Sequence, residues 1–512
     1  MEQKIWERRQ TLEEFAEAVE VFAREHGEAG MIGVRHLQRL VAGRGPGGRP
    51  LGRVRPSTAR LLERILGLGV DELLASPADG EPAVQDLDGT VSDIGDVGLL
   101  GGLVGWLPDS ARQVVADRLD GLDVGRVRDK RARMQDVGRS QLAGALAEYY
   151  AEGTSQHAQY GAQVCGQHVL TSVLTRPEWA ALGVPLEART DRVELEDAGP
   201  DDAVPIEHIE ESGVDRLAEA AALGVRITNK PLYRLLDVDV RDGVITGRVG
   251  LAPFATYALT MDLLEGELAA SLALDQPVSL PLRDRFLPNL GSVLDLRSRL
   301  CVGGVVGLTA IARPADPYRG PADYALLVQE RSGQVVNAAG RLAVIPKGFH
   351  EPLTDLRGDA RIGATLRREM EEELFGRLDV DSTSDLGRAA APMHPGRLSA
   401  PMRWLLDVPG RLRTECTGFG FNLVSGNYEF AALVVIDDES FWTRFGGAIE
   451  ANWESAGLRV YSSLDDHLVG KLILDESWSN EGLFAFLQGI RRLQEVADDR
   501  VKLPGVEVEL GC

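Results

Sequence analysis

Charge is segregated along these 512 residues as expected of a basic binding module on an acidic protein. Between Met31 and Leu66 stand Arg35, Arg39, Arg44, Arg49, Arg53, Arg55, Arg60 and Arg64 against a single acid, Glu63, so this stretch carries +7 (eight minus one). The whole chain carries −23, which leaves −30 for everything else (−23 minus +7). An acidic bulk of that size repels nucleic acid and membrane surfaces, so any contact with a polyanion falls to the basic stretch. Length points the same way, since a chain this long exceeds one ordinary core and suggests roughly three domains.

The remaining composition narrows the class. Hydrophobic residues at 44% and charged residues at 26% are the proportions of a globular protein, not of a disordered one. The charged start, Met1 to Gln10, lacks the apolar core of a secretory signal. The longest apolar run, residues 98–107, is about ten residues and too short to span a bilayer. Cys165, Cys301, Cys416 and Cys512 are scattered with no CxxC pair, which suits reduced thiols in a cytoplasm and no structural zinc site.

Periodicity divides the chain further. Residues 11–26 read as an amphipathic helix with Phe15, Val19 and Phe22 at helical spacing. A short helix over 34–41 aligns Val34, Leu37, Leu40 and Val41, and another over 57–66 starts after Pro56. A Ser/Pro/Asp/Gly stretch then reads as a linker. Residues 99–152 are expected to be helical, with Leu142, Leu146 and Tyr149 forming one stripe. Residues 232–249 alternate like a hairpin about Asp242-Gly243, and 256–274 read as a helix. Beyond Arg299 the texture becomes strand, turn and helix: 302–312, 324–329, 342–345 and 428–436 are strand runs, and 362–374 and 479–496 are helices. The expected organisation is therefore multidomain. Residues 1–77 form an all-α domain, 78–98 a linker and 99–298 a helical then mixed α+β middle region. Residues 299–500 form an α/β sandwich, and 501–512 a tail.

In GVRHLQRLVAG the apolar Val34, Leu37 and Leu40 turn inward and Arg35, His36, Gln38 and Arg39 outward. Arg pairs with guanine and Gln with adenine in the major groove, so these side chains suit a recognition helix, with Arg44 in the loop behind it. The stretch from Thr11 to Pro77 resembles the Cro/repressor-type helix-turn-helix family, although its turn GEAGMI is longer than usual. The resemblance implies double-stranded DNA as a partner and transcription regulation as a role.

The most chemically specific segment is RLAVIPKGFHEP followed by ARIGATLRREMEEEL. Glu369, Glu372 and Glu373 stand at i, i+3 and i+4, hence on one face of an α-helix, where like charges repel by about 0.2–0.5 kcal/mol per pair. A divalent cation would turn that repulsion into ligation. Taken alone such a run is a solvated face. In context, Arg368 to Glu373 match the REUxEE core of the Nudix box, and PKGFHEP resembles that family's PGGxxEP segment with Gly348 at the second glycine. The resemblance spans residues 300–496 and implies a metal site of Mg2+ or Mn2+ on Glu369, Glu372 and Glu373. It also implies Arg368 as organiser of these catalytic residues, Lys347 and Gly348 as the ligand loop, and a nucleoside-diphosphate-linked ligand.

Four positions depart from the pattern. Ala360 stands where a Glu is expected eight before the Arg, and Lys347 where the first glycine is expected. The following glycine is displaced to Gly376, and the segment from Gly348 to Arg368 is about six residues too long. TGFGFN, with Gly418 and Gly420, lacks the third glycine of a dinucleotide fingerprint. Three functions fit. The first is a cytoplasmic regulator whose Nudix-like domain senses a nucleotide-like small molecule. The second is an active Nudix hydrolase, and the third an interaction scaffold. The middle region is left two roles, coupling the end domains or making a homodimer.

Overall fold

The structure, a computed structural model, describes residues 107, 109–151, 156–196, 211–223, 225, 229–273, 278–332, 338–377, 392–446, 449, 455–497 and 499–510, together with Phe15, Val19, Leu37, Thr58 and Leu62. Two compact units divide the chain, Met1–Gly95 and Asp96–Cys512. In the first, Phe15, Val19, Leu37 and Leu62 are helical and wholly buried. Phe15 and Val19, four apart, share a helix face. Arg35, His36, Gln38, Arg39 and Arg44 lie outside the described residues.

The second unit opens with three helices, α1 (Asp109–Asp120), α2 (Val124–Gln135) and α3 (Arg139–Tyr149), where one long helical stretch was expected. Local chemistry makes the breaks. Asp123 caps α2 by accepting from the Arg126 N–H at 3.0 Å, and Gly138 supplies the extended residue before α3.

A large mixed sheet follows. In chain order its strands are β1 (Ala158–Val164), β2 (Gln167–Thr175), β3 (Val184–Pro185), β7 (Gly303–Arg313), β8 (Asp323–Arg331), β9 (Leu342–Val344), β10 (Lys347–Phe349), β11 (Leu412–Asn422), β12 (Tyr428–Ile436), β13 (Ser455–Ser462) and β14 (Val506–Leu510). The main order is β13-β8-β7-β12-β11-β2-β1-β14, with β3, β9 and β10 attached at the side. β7 and β12 run parallel, Tyr428 beside Gly303 through Ile436 beside Ile311; their neighbours are antiparallel. A smaller sheet, ordered β4-β6-β5, is made by β4 (Asp191–Leu195), β5 (Pro231–Arg241) and β6 (Val244–Pro253). The expected hairpin is β5–β6. Asp242 and Gly243 both take positive φ, 50° and 70°, as a turn matching the strand twist requires.

The large sheet runs across both expected boundaries: β1, β2 and β3 come from the middle region and β14 from the tail. β1 and β2 enter because their inward side chains share the core of β12 and the last long helix. TGFGFN lies inside β11, where a Cβ on Gly420 would sit 2.7 Å from the Leu174 carbonyl oxygen. Gly420 admits the neighbouring strand β2, and Gly418 admits the side chains of Phe484 and Gln488.

Strand alternation builds two cores. Val305 and Ile311 of β7, with Phe430, Ala432 and Val434 of β12, face one side; Val306, Leu308, Ala310, Ala431 and Leu433 face the other. The helices that follow are, in order, α4 (Glu211–Leu223), α5 (Phe254–Ala258), α6 (Leu263–Leu272), α7 (Pro281–Phe286), α8 (Leu290–Leu294), α9 (Ile362–Glu369), α10 (Ala400–Asp407), α11 (Glu439–Phe445), α12 (Asp466–Ile473) and α13 (Asn480–Val496). α9 packs Leu366 into the first core, and α13 packs Leu483, Phe486, Leu487 and Ile490 into the second. Each such side chain contributes about 1.5–3 kcal/mol by leaving water. The single helix expected over 256–274 is two, α5 and α6, separated by Leu259–Asp262. Among the described residues no helix is long and apolar enough to cross a membrane.

Candidate functional site: a carboxylate helix seated on a strand

Ile362, Leu366 and Met370 recur every four residues and are buried, which pins α9 to the sheet. Arg361 at its N-cap provides no side-chain cap. Asp191 of β4 supplies one instead, accepting from the Gly363 N–H at 2.8 Å. Burial pushes the Asp191 carboxyl up, against the backbone N–H groups that hold it down. A Cβ on Gly363 would meet the Leu186 carbonyl oxygen at 2.7 Å, so the helix start presses directly on this segment.

Past Glu369 the helix widens into a π turn over Met370–Leu374, closed by a Phe375 N–H to Met370 carbonyl bond of 3.2 Å. Across that turn Glu369 and Glu373 keep one face, both set against the Lys347–Phe349 strand, while Glu371 turns to Arg377 and Ser399. The acids have separate environments. Glu369 is buried, accepts from Arg368 at 2.7 Å, and lies where a Cβ on Gly348 would collide with its carboxyl group. Gly348 is therefore a requirement of this seat. Glu373 is buried, accepts the Lys347 backbone N–H at 2.6 Å, and stands 4.0 Å from Arg331. Glu371 is wholly buried and binds Arg377 at 2.6 Å and the Ser399 hydroxyl at 2.8 Å. Glu372 is partly exposed.

Arg368 organises the group. Its guanidinium donates to Glu351, to Glu369 and, at 2.8 Å, to the Phe349 carbonyl. Burial opposes its charge, yet Glu351, Glu369 and Glu372 together hold its pKa above the usual value. Glu351 thus supplies the carboxylate that the sequence pattern expects at Ala360, which is buried. The long segment explains the change. It folds back as a loop in which Asp359 accepts three backbone N–H groups, from Leu353, Thr354 and Asp355. The small sheet holds that loop, Tyr233 donating its N–H to the His350 carbonyl and its hydroxyl to the Leu356 carbonyl at 2.6 Å. His350 is buried against the Tyr428 hydroxyl at 2.8 Å, and burial pushes its pKa down to about 3, so it stays neutral.

Sequence reasoning missed a second set of acids on the other side of Lys347. The Lys347 ammonium binds Glu481 of α13 at 2.5 Å, and Asn422 donates to the same carboxylate at 3.0 Å. Burial would raise the Glu481 carboxyl, but Lys347 holds it low. Glu429 of β12 is pushed up to about 8 by burial and by Glu481. Glu265 of α6 is pushed up to about 7 by burial, Glu481 and Asp262. One signal was available: a charged residue inside the otherwise apolar strand YEFAALVVI, where an acid persists only with partners. Glu481 left none, because it sits on an ordinary amphipathic helix, whereas Glu265 stands in the apolar helix LLEGELAASL and went unread.

Among the described residues, no three acidic, histidine or cysteine side chains converge as a ready-made cation cage. No protein-family model matches the chain, and comparison with the curated proteins returns no match.

Proposed function

We propose that the chain is a DNA-binding transcription regulator in which a Nudix-like domain, residues 299–500, senses a nucleotide or nucleoside-diphosphate-linked ligand. The ligand half rests on one observation: Glu369 and Glu373 are seated against the Lys347–Phe349 strand by Arg368 and by the Lys347 N–H. Carboxylates held this way must share or exchange those bonds to take a cation, which suits a site that fills and empties more than one dedicated to turnover. Their oxygen donors fit Mg2+ or Mn2+, and with no preformed cage among the described residues the ion is expected to arrive with the ligand's phosphates. Bound there, it would neutralise phosphate charge; Glu369, Glu372 and Glu373 are the residues to hold it. The DNA half rests on the +7 stretch, where Arg35, His36, Gln38, Arg39 and Arg44 are the candidate readers. The runner-up, an active hydrolase, draws on the unbroken Arg368 to Glu373 core.

Linkage separates the two. A sensor's ligand must bind the DNA-competent and DNA-incompetent states differently, and DNA must then change ligand affinity by the same factor, about 5–150-fold. Affinity for ADP-ribose with Mg2+ is measured with and without a duplex selected for binding, beside duplex affinity with and without ADP-ribose. Equal ratios different from one support the sensor; ratios of one with repeated product release make it a hydrolase. Arg35→Ala with Arg39→Ala should abolish selective duplex binding, at about 1–3 kcal/mol per base contact. Unchanged affinity through a salt titration removes that helix as the reader.

A further inference from the structure

A cleft of about 260 Å3 opens on the flank of α9, between that helix, the loop carrying Leu353 and Asp359, and the segment from Met393 into α10. It shares Glu351 and Arg368 with the seat of Glu369 on Gly348 and opens on their far side. Its walls are Leu353, Met393, Leu398, Met402 and Leu406, the last left 47% exposed. Three observations say what would fill it. The hydroxyl of Thr365, which borders the cleft and is only 2% exposed, has no hydrogen-bond partner among the described residues. A buried polar atom left unpaired is unfavourable, and a ligand's polar group relieves it once the wall side chains part to expose it. Both lining acids are already engaged, Glu351 by Arg368 and Asp359 by three backbone N–H groups. The lining cation Arg367, by contrast, is exposed, and no acid among the described residues pairs with it.

We propose that this cleft is a second small-molecule site, taking a compact amphipathic anion whose apolar body lies between Met393 and Met402 and whose carboxylate-like head meets Arg367. The size sets the class, since the volume falls just below the usual range for drug-sized ligands. Flexible methionine side chains adapt to an aromatic ring or a branched alkyl body. Arg368 forms the inner wall and also holds Glu369, so occupancy of the cleft bears directly on the carboxylate helix.

The test uses the full chain with methyl-labelled methionine, titrated with 4-phenylbutyrate and with its uncharged counterpart, 4-phenylbutyramide. The acid is expected to bind saturably and shift the methyl signals of Met393 and Met402, with the amide weaker by about tenfold for the lost charge-assisted contact. Arg367→Gln, on the surface and harmless to folding, should bring acid and amide to equal affinity. Met402→Trp should fill the cleft and abolish binding of both while ADP-ribose binding persists. Equal binding of acid and amide to the unmodified protein overturns the proposal. So does saturable binding that leaves both methyl signals unmoved, or no saturable binding of the acid at all.

Discussion

Two groups of acids meet at Lys347 and are built in opposite ways. On one side Glu369, Glu371 and Glu373 come from five consecutive residues and meet separate donors: Arg368, which Glu351 shares, Arg377 with Ser399, and the Lys347 N–H. On the other side Glu265, Glu429 and Glu481 come from three distant elements and share cations, chiefly the Lys347 ammonium. An acid with its own donor has its charge answered in place. In the second group burial, and after it repulsion from Glu481, pushes Glu429 and Glu265 up toward neutrality, while Lys347 holds Glu481 low. Proximity in sequence produced a rigid seat; proximity in space produced a titrating cluster.

Removing the shared cation strikes hardest. Lys347→Met leaves Glu481 buried without its ion pair and should cost about 3–5 kcal/mol, read as a lower urea midpoint. A loss under about 1 kcal/mol would mean the second group does not depend on Lys347.

The next effect is on pH. Glu429 and Glu265 titrate near 8 and 7 in the folded chain, against about 4.5 when unfolded, so the folded state binds more protons between those values. Their contribution to stability is full below the unfolded value and is lost as pH rises through 7 and 8. Stability should therefore fall from pH 5 to pH 9, and Glu429→Gln should flatten part of that slope. A parallel slope in the variant would show that Glu429 is ionised throughout.

Neighbours on one helix should then behave differently. Glu371→Gln removes a buried charge from Arg377 and Ser399 and should destabilise by about 1.5–3 kcal/mol. Glu372→Gln, on the partly exposed side, should change stability by less than about 0.5 kcal/mol yet weaken Mg2+-dependent ADP-ribose binding. Urea titration beside calorimetry reads both, and equal stability losses would erase the distinction between anchor and ligand residue.

A smaller loss than at Glu371 is expected at the helix start. Asp191→Ala removes the cap borrowed from the small sheet and should cost about 1 kcal/mol, with faster amide exchange over Ile362–Glu369. Unchanged exchange there would uncouple the small sheet from the carboxylate helix.

Much of this was legible in advance where a local rule governed. The hairpin at Asp242-Gly243 was legible because two adjacent positive-φ residues admit few other structures. The strand over Tyr428–Ile436 and the helix capped by Ser479 were legible because hydrophobic period and capping are local too. Arg368 and its neighbouring acids were visible as a pattern, but the π turn and the partners of Glu371 and Glu373 were not, since Ser399 and Lys347 lie far from that segment in the chain. Glu351 as partner of Arg368 was hidden behind a loop of unexpected length. The sequence by itself determined the hairpin at 242–243, the strand over Tyr428–Ile436, the helices starting at Ile362 and Asn480, and that carboxylates crowd one turn. Only the tertiary structure decided which acid meets which cation, that β1, β2 and β14 complete the large sheet, and that Asp191 caps a helix begun at Ile362. The reason is physical: periodicity and capping act over a few bonds, whereas desolvation and ion pairing depend on neighbours that arrive from anywhere in the chain.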